Sequence, residues 1–167
     1  MPFDYEANIA AVENALNGYN TTTSNPDLSS GLTPRISNVY VSDPEVAAIR
    51  WDQLPAIFIR TQAASEEAAG LGATGPLTSH VRKFKEVTYE LVCMFTRDGA
   101  HTSLPAHETQ VYRFAENAEG VFQREFTLSG TALWCQPERT DFGAFQLGDG
   151  LRVRGVVVSL KAKYLFQ

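Results

Sequence analysis

The chain is poor in the residues from which reactive chemistry is usually built. It has two cysteines, Cys93 and Cys135, and three histidines, His80, His101 and His107, in 167 residues. No CxxC pair occurs, and the spacing of His101 and His107 is not that of a helical HExxH, so neither a zinc site nor another metal site is indicated. The glycine-rich stretches Gly70–Gly75 and Gly148–Gly150 match neither GxGxxG nor the phosphate-cradling GxxxxGK followed by Ser or Thr, and read as turns. There is no GxSxG and no serine in a nucleophile setting. No two carboxylates are placed for acid–base work, and Asp141 and Asp149 fall in a stretch that reads as loop. Long apolar runs are also missing: none approaches the ~20 residues that span a bilayer. A basic flank ahead of an apolar core is absent at the N-terminus, so no signal peptide is expected. Lys and Arg number 14 against 19 Asp and Glu, a net charge of −5. That balance argues against a protein that grips nucleic acid by neutralising phosphates. The cysteines sit inside expected strands. Buried free thiols are the plain reading, a disulfide stays open if their strands are neighbours, and a cytoplasmic protein fits best.

What is present is hydrophobic patterning. Apolar residues make up 44% and charged residues 20%, in the range of a folded globular chain of one domain, residues 1–167. Asp4 can cap a helix running to about Asn17, with Gly18 as its stop and Tyr5, Ile9, Val12 and Leu16 on one face. Tyr19 to Pro34 is polar and turn-rich and reads as loop. Ile36 to Val41 is a short extended piece, Asp43-Pro44 opens a helical turn to about Trp51, and Ala56 to Thr61 is a strand. Gln62 to Ser79 holds small residues and glycines without an apolar pattern. It reads as the tip of a long hairpin, an arm that orders on meeting a partner.

Phe84 to Phe95 alternates, with Val87, Tyr89, Leu91, Cys93 and Phe95 pointing one way. Arg97-Asp98-Gly99 supplies a turn. Ser103 caps a helix to Glu119, with Leu104, Val111, Phe114 and Ala118, then Val121 or Phe122, as its apolar stripe and Gly120 as its end. Its other side carries His107, Gln110, Arg113, Glu116 and Asn117. Leu128 to Gln136 reads as a strand, and Gln136 to Gly150 as a loop or irregular hairpin anchored by Phe142, Phe145 and Leu147. Leu151 to Phe166 is the last strand, with Val156, Val158, Leu160, Ala162, Tyr164 and Phe166 on one face. This order predicts an α+β fold: a mainly antiparallel sheet, two principal helices on one of its faces and a long β-hairpin arm.

Charges cluster at strand ends. Arg82, Lys83 and Lys85 lie near the base of the hairpin, and Arg152 and Arg154 open the last strand. Charged edge residues discourage unwanted strand pairing. They can also meet Glu66, Glu67 or Asp141 of a neighbouring subunit. The residues expected at a subunit or partner interface are Arg60, Glu66, Glu67, Arg82, Lys83, Asp141, Arg152 and Arg154.

The leucine-proline-led strand LPAIFIR, the strand YELVCMF followed by Asp98-Gly99 and a helix, the strand opening on LSGTALW and the final VVVSLKAKYLF complete a layout. It begins with the short N-terminal helix and includes the long hairpin. In order and length this layout resembles the tail terminator (tail completion) proteins of long-tailed bacteriophages. The resemblance implies a structural virion protein and no enzyme, without a cofactor. It implies a homo-oligomeric ring, typically a hexamer, assembled in the host cytoplasm. Such a ring caps the tail tube protein, stops its polymerisation and docks to head-completion (neck) proteins. DNA passes through its channel without specific binding, and no membrane is involved. The alternatives are another neck or tail protein, such as a head-closure or tube protein, and a small-molecule-binding α+β domain.

Overall fold

A computed structural model of the chain describes residues 2–42, 49, 53–68, 83–95, 104–146 and 152–166. Its elements in chain order are α1 (Tyr5–Gly18), β1 (Asn38–Val41), β2 (Ala56–Ala68), β3 (Lys83–Phe95), α2 (Leu104–Arg124), β4 (Trp134–Gln146) and β5 (Arg152–Phe166). The strands form one five-stranded sheet in the order β1-β2-β3-β5-β4. β1 lies parallel to β2, and every other pairing is antiparallel. The fold is therefore α+β with a mostly antiparallel sheet, as the patterning predicts. No helix among the described residues is long and apolar enough to cross a membrane.

The core follows from the period of two along the strands. Ile57 and Ile59 of β2, Val87 to Phe95 at alternate positions of β3, and Val156 to Tyr164 at alternate positions of β5 present one face. Val12 and Leu16 of α1 and Val111, Phe114, Ala118, Val121 and Phe122 of α2 close over that face in a single cluster. Burying each such Val, Leu, Ile or Phe contributes about 1.5–3 kcal/mol before entropy is subtracted. Asp4 caps α1 by accepting from the Ala7 N–H at 3.0 Å. Tyr5, expected on the buried face, is instead exposed, while Asn8 is buried.

The polar segment after α1 is a fitted cover. Leu28, Leu32 and Ile36 are buried in the main cluster. α2 grips the backbone between them with the side that reads as its wet one. Asn117 donates to the carbonyls of Leu28 (3.0 Å) and Ser30 (2.9 Å), and Arg113 donates to that of Gly31 at 2.9 Å. The carbonyl of the buried Gln110 side chain accepts from the Thr33 N–H at 2.9 Å. These contacts fasten the loop backbone to α2, those to Leu28 and Thr33 in partly buried positions.

Three boundaries differ from the sequence expectation. α2 runs through Gly120 to Arg124, because Val121 and Phe122 continue its buried stripe. Leu128–Leu133 is turn rather than strand: Leu128, Ser129 and Gly130 have φ of 48°, 55° and 87°, which no strand adopts. Gln136–Gln146, expected to be loop, belongs to β4. Pro137 is tolerated there because β4 is an edge strand and its register slips between Pro137 and Arg139. Along the proposed arm, residues 62–68 are part of β2 and pair with β3, whose ladder extends even polar residues into a strand. Residues 69–79 lie outside the described residues, as do the turn at Asp43–Trp51 apart from Ile49, the turn at Arg97–Gly99, the Ser103 cap and the anchor Leu147.

Candidate interaction surface

Both helices take one face of the sheet, which leaves the other to be explained. At one end the face away from α1 and α2 is apolar and covered: Leu54, Ala56, Phe58, Val92, Met94 and Val153 form a second buried cluster, on which Ile49 packs and where Tyr40 stacks on Phe58 at 5.3 Å. Gly155 sits at its border. A Cβ there would lie 2.4 Å from the Cys93 carbonyl oxygen and 2.7 Å from the Phe145 ring, so the three strands close only around a hydrogen atom.

Towards the other end the bare face carries a ladder of charges. Arg60 on β2 meets the buried Glu90 on β3 at 2.6 Å. Glu86 lies between Lys161 (3.1 Å) and Lys163 (3.4 Å) of β5, and Lys163 reaches Glu67 of β2 at 3.8 Å. The hydrogen bond from Lys161 holds the Glu86 carboxyl below its ordinary range, and the same contact raises Lys161. Opposite charges on neighbouring strands set the register of the three strands on the face away from α1 and α2.

On the helix side at this end, Glu66 receives Lys83 at 2.7 Å and Lys85 at 3.8 Å. Hydrogen bonding from Lys83 lowers the Glu66 carboxyl, and Tyr5 is the main cause of a raised Lys85. The Lys85 ammonium also lies 5.1 Å from the Phe3 ring centre and 5.9 Å from that of Phe166, so it ties the N-terminal segment to the end of β5. Across the sheet, Arg154 forms a two-pronged contact with Glu108 of α2 at 2.6 and 3.0 Å, which raises its own pKa. Next to it Tyr112 and Phe142, 49% and 43% exposed, meet edge to face at 5.2 Å.

The residues expected from the sequence at an interface thus fall into distinct places. Arg60 and Glu67 belong to the bare-face ladder, and Glu66 and Lys83 form a pair on the helix side of the hairpin. Arg154 is tied to α2. Asp141 lies on the β4 strand, 2.8 Å from Arg139, rather than in a loop. Arg152 opens β5, and its side chain and the whole of Arg82 lie outside the described residues. The lysines expected to meet acids of a neighbour have acids of their own chain beside them. Arg139 and Tyr112 carry no signal of their own in the sequence, and Phe142 reads there only as an anchor of an expected loop. Reading 136–146 as loop hid that Arg139 and Asp141 share one strand face while Phe142 takes the other.

A groove between α1 and the turn after α2 is lined by Asn14, Tyr19, Glu125 and Ser129, among others. Its carboxylate is already engaged: Tyr19 donates to Glu125 at 2.8 Å, and Ser129 lies 3.4 Å from the other oxygen. Among the described residues no group of at least three His, Cys, Asp or Glu could hold a metal ion. Cys93 and Cys135 are free and buried, with both thiols pushed up by burial, Cys135 to about 12. No protein-family model matches the chain, and no curated protein matches it.

Proposed function

We propose that this chain is a tail terminator protein of a long-tailed bacteriophage, a virion component whose copies form a ring, typically of six. The ring caps the tail tube, ends its polymerisation and joins the tail to the neck, leaving a channel for DNA. The observation that carries this reading is a sheet whose two sides have no further strand among the described residues. Its outer strands β1 and β4 have no further strand beyond them among the described residues, and most of the outer edge of β2 extends past β1. Two different edges on one subunit are what a head-to-tail contact between copies uses, and such contacts close into rings. The element order on which the resemblance rests supports the same reading. LPAIFIR leads into β2, YELVCMF lies in β3, α2 follows, and VVVSLKAKYLF forms most of β5. LSGTALW departs from that layout, being turn up to Trp134.

The test is to polymerise tail tube protein in the presence of the purified chain and to image the product. Tubes bearing a ring at one end, and stopped growth, are expected. A chain that stays monomeric and leaves tube growth unchanged refutes the proposal.

A further inference from the structure

From Thr61 to Ala68 the outer edge of β2 has no strand beside it among the described residues, because β1 covers only Ala56 to Ile59. Thr61 to Glu67 are exposed, and the stretch contains no proline and no lysine, two devices that blunt a sheet edge. The first part of β4, at the opposite side of the sheet, is blunted by Pro137 and the register slip that follows it. From Arg139 to Ala144 β4 pairs regularly with β5, and its outer side has no partner strand among the described residues. We propose that this β4 segment of one copy pairs antiparallel with the outer β2 edge of a second copy, with Arg139 opposite Glu67 and Phe142 opposite Ala64.

Direction, face, room and charge each support this pairing. β2 and β4 run in opposite senses within the sheet, since β2 is antiparallel to β3, β3 to β5, and β5 to β4. Copies related by rotation about an axis along the strands keep these senses, so β4 of one copy meets β2 of the next antiparallel. Such a rotation also keeps all helix faces on the same side. Within this register the faces agree from Arg139 to Gly143, which lie opposite Ala63 to Glu67 and stop short of the β2 bulge at Gln62. Glu67, Ser65 and Ala63 on the bare face stand opposite Arg139, Asp141 and Gly143, and Glu66 and Ala64 on the helix face stand opposite Thr140 and Phe142. The match puts the exposed Phe142 ring, already backed by Tyr112, over Ala64, one of the two alanines in the paired stretch of the acceptor edge. Ser65 can donate to Asp141, while Thr140 keeps its own-chain bond to Glu119 at 3.1 Å. Arg139, whose side chain is 72% exposed, meets Glu67, whose side chain is 66% exposed. The paired stretch, Arg139 to Gly143 against Ala63 to Glu67, stops short of Ala56 to Ile59, where β1 occupies the β2 edge.

The contact supplies the subunit interface of the ring and rests on that reading for closure alone; the pairing itself follows from the edges. It is tested by disulfide trapping in the full chain. Opposed residues in an antiparallel pair have Cα atoms about 4.5–5.5 Å apart, inside the disulfide window. The double variant S65C/D141C, mildly oxidised, should run as a ladder of covalent dimers, trimers and larger species, and neither single variant should. The native Cys93 and Cys135 are buried and stay out of the reaction. Arg139→Glu should abolish the oligomer in mass photometry while leaving the circular dichroism unchanged, and R139E/E67R should restore it. Oligomers without a ladder overturn this contact and leave the ring standing. Covalent dimers from S65C alone show two β2 edges meeting by a two-fold axis and overturn it as well. A wild-type chain that is monomeric at all concentrations removes both.

Discussion

Gly155→Ala adds one methyl group at the tightest point of the sheet. The new Cβ would lie 2.4 Å from the Cys93 carbonyl oxygen, 2.7 Å from Phe145 Cε2 and 2.9 Å from Phe145 Cδ2. The ring can rotate or shift, but the carbonyl is held in the β3–β5 ladder, where Cys93 pairs with Val156 and Met94 with Gly155. Relief therefore requires β3 and β5 to separate locally and their hydrogen bonds to lengthen. Overpacking of this kind costs about 1–3 kcal/mol, and an unyielding backbone atom places the cost towards the upper end. Alanine also narrows the unfolded ensemble, which offsets about 0.4–1 kcal/mol. The net expectation is a loss of about 2 kcal/mol, which for a chain of this size lowers Tm by about 4–8 °C. Calorimetry at matched protein concentration measures it, since association shifts apparent stability. Phe145→Ala combined with Gly155→Ala separates the two obstacles. Removing the ring leaves the carbonyl in place, so the double variant should remain clearly less stable than Phe145→Ala alone. Equal stability of those two proteins, or a single variant within 1 °C of wild type (about 0.3 kcal/mol), would show that the strand spacing yields and that the argument from the carbonyl fails.

Three further outcomes are expected. Tyr89 and Tyr164 face each other in the core with hydroxyls 3.0 Å apart. Either single Phe variant should lose about 1–3 kcal/mol by stranding the remaining hydroxyl, and the double variant should lose much less than the sum, as read from urea midpoints. Burial raises Tyr89 from 10.0 to about 12 and Cys135 from 9.0 to about 12, and raises Tyr164 further. Each group holds its proton more firmly when folded, so its contribution is complete below the unfolded pKa and is lost as pH rises through the folded one. Urea midpoints should therefore fall steadily from about pH 9 to pH 12, and a flat profile there would contradict the burial of these groups. Finally, a net charge of −5 on a passive conduit predicts no measurable duplex DNA binding at physiological salt. Tight, salt-sensitive binding in a fluorescence anisotropy titration would point instead to a gripping role, with Lys83, Arg152 and Arg154 as first targets for mutation.

The period of two in Val87–Phe95 and Val156–Tyr164 was enough to establish two strands and the buried face of each. Asp4 and the Val12–Leu16 spacing marked α1, and the Val111–Phe122 stripe marked α2. These signals are local: backbone geometry repeats every few residues, and burial of one side writes that repeat into the chain. Other features depended on partners distant in sequence. Leu28 and Leu32 show no period, because α2 rather than the loop itself supplies their socket through Gln110, Arg113 and Asn117. Residues 62–68 and 136–146 lack a strand pattern on their own. They are strands because β3 and β5 offer ladders beside them, and an edge strand with one polar face needs little else. For the same reason the Arg139–Phe142 edge could not be seen in the sequence. Which backbone groups a sheet leaves unpaired is settled by strand order, and strand order is a property of the assembled tertiary structure.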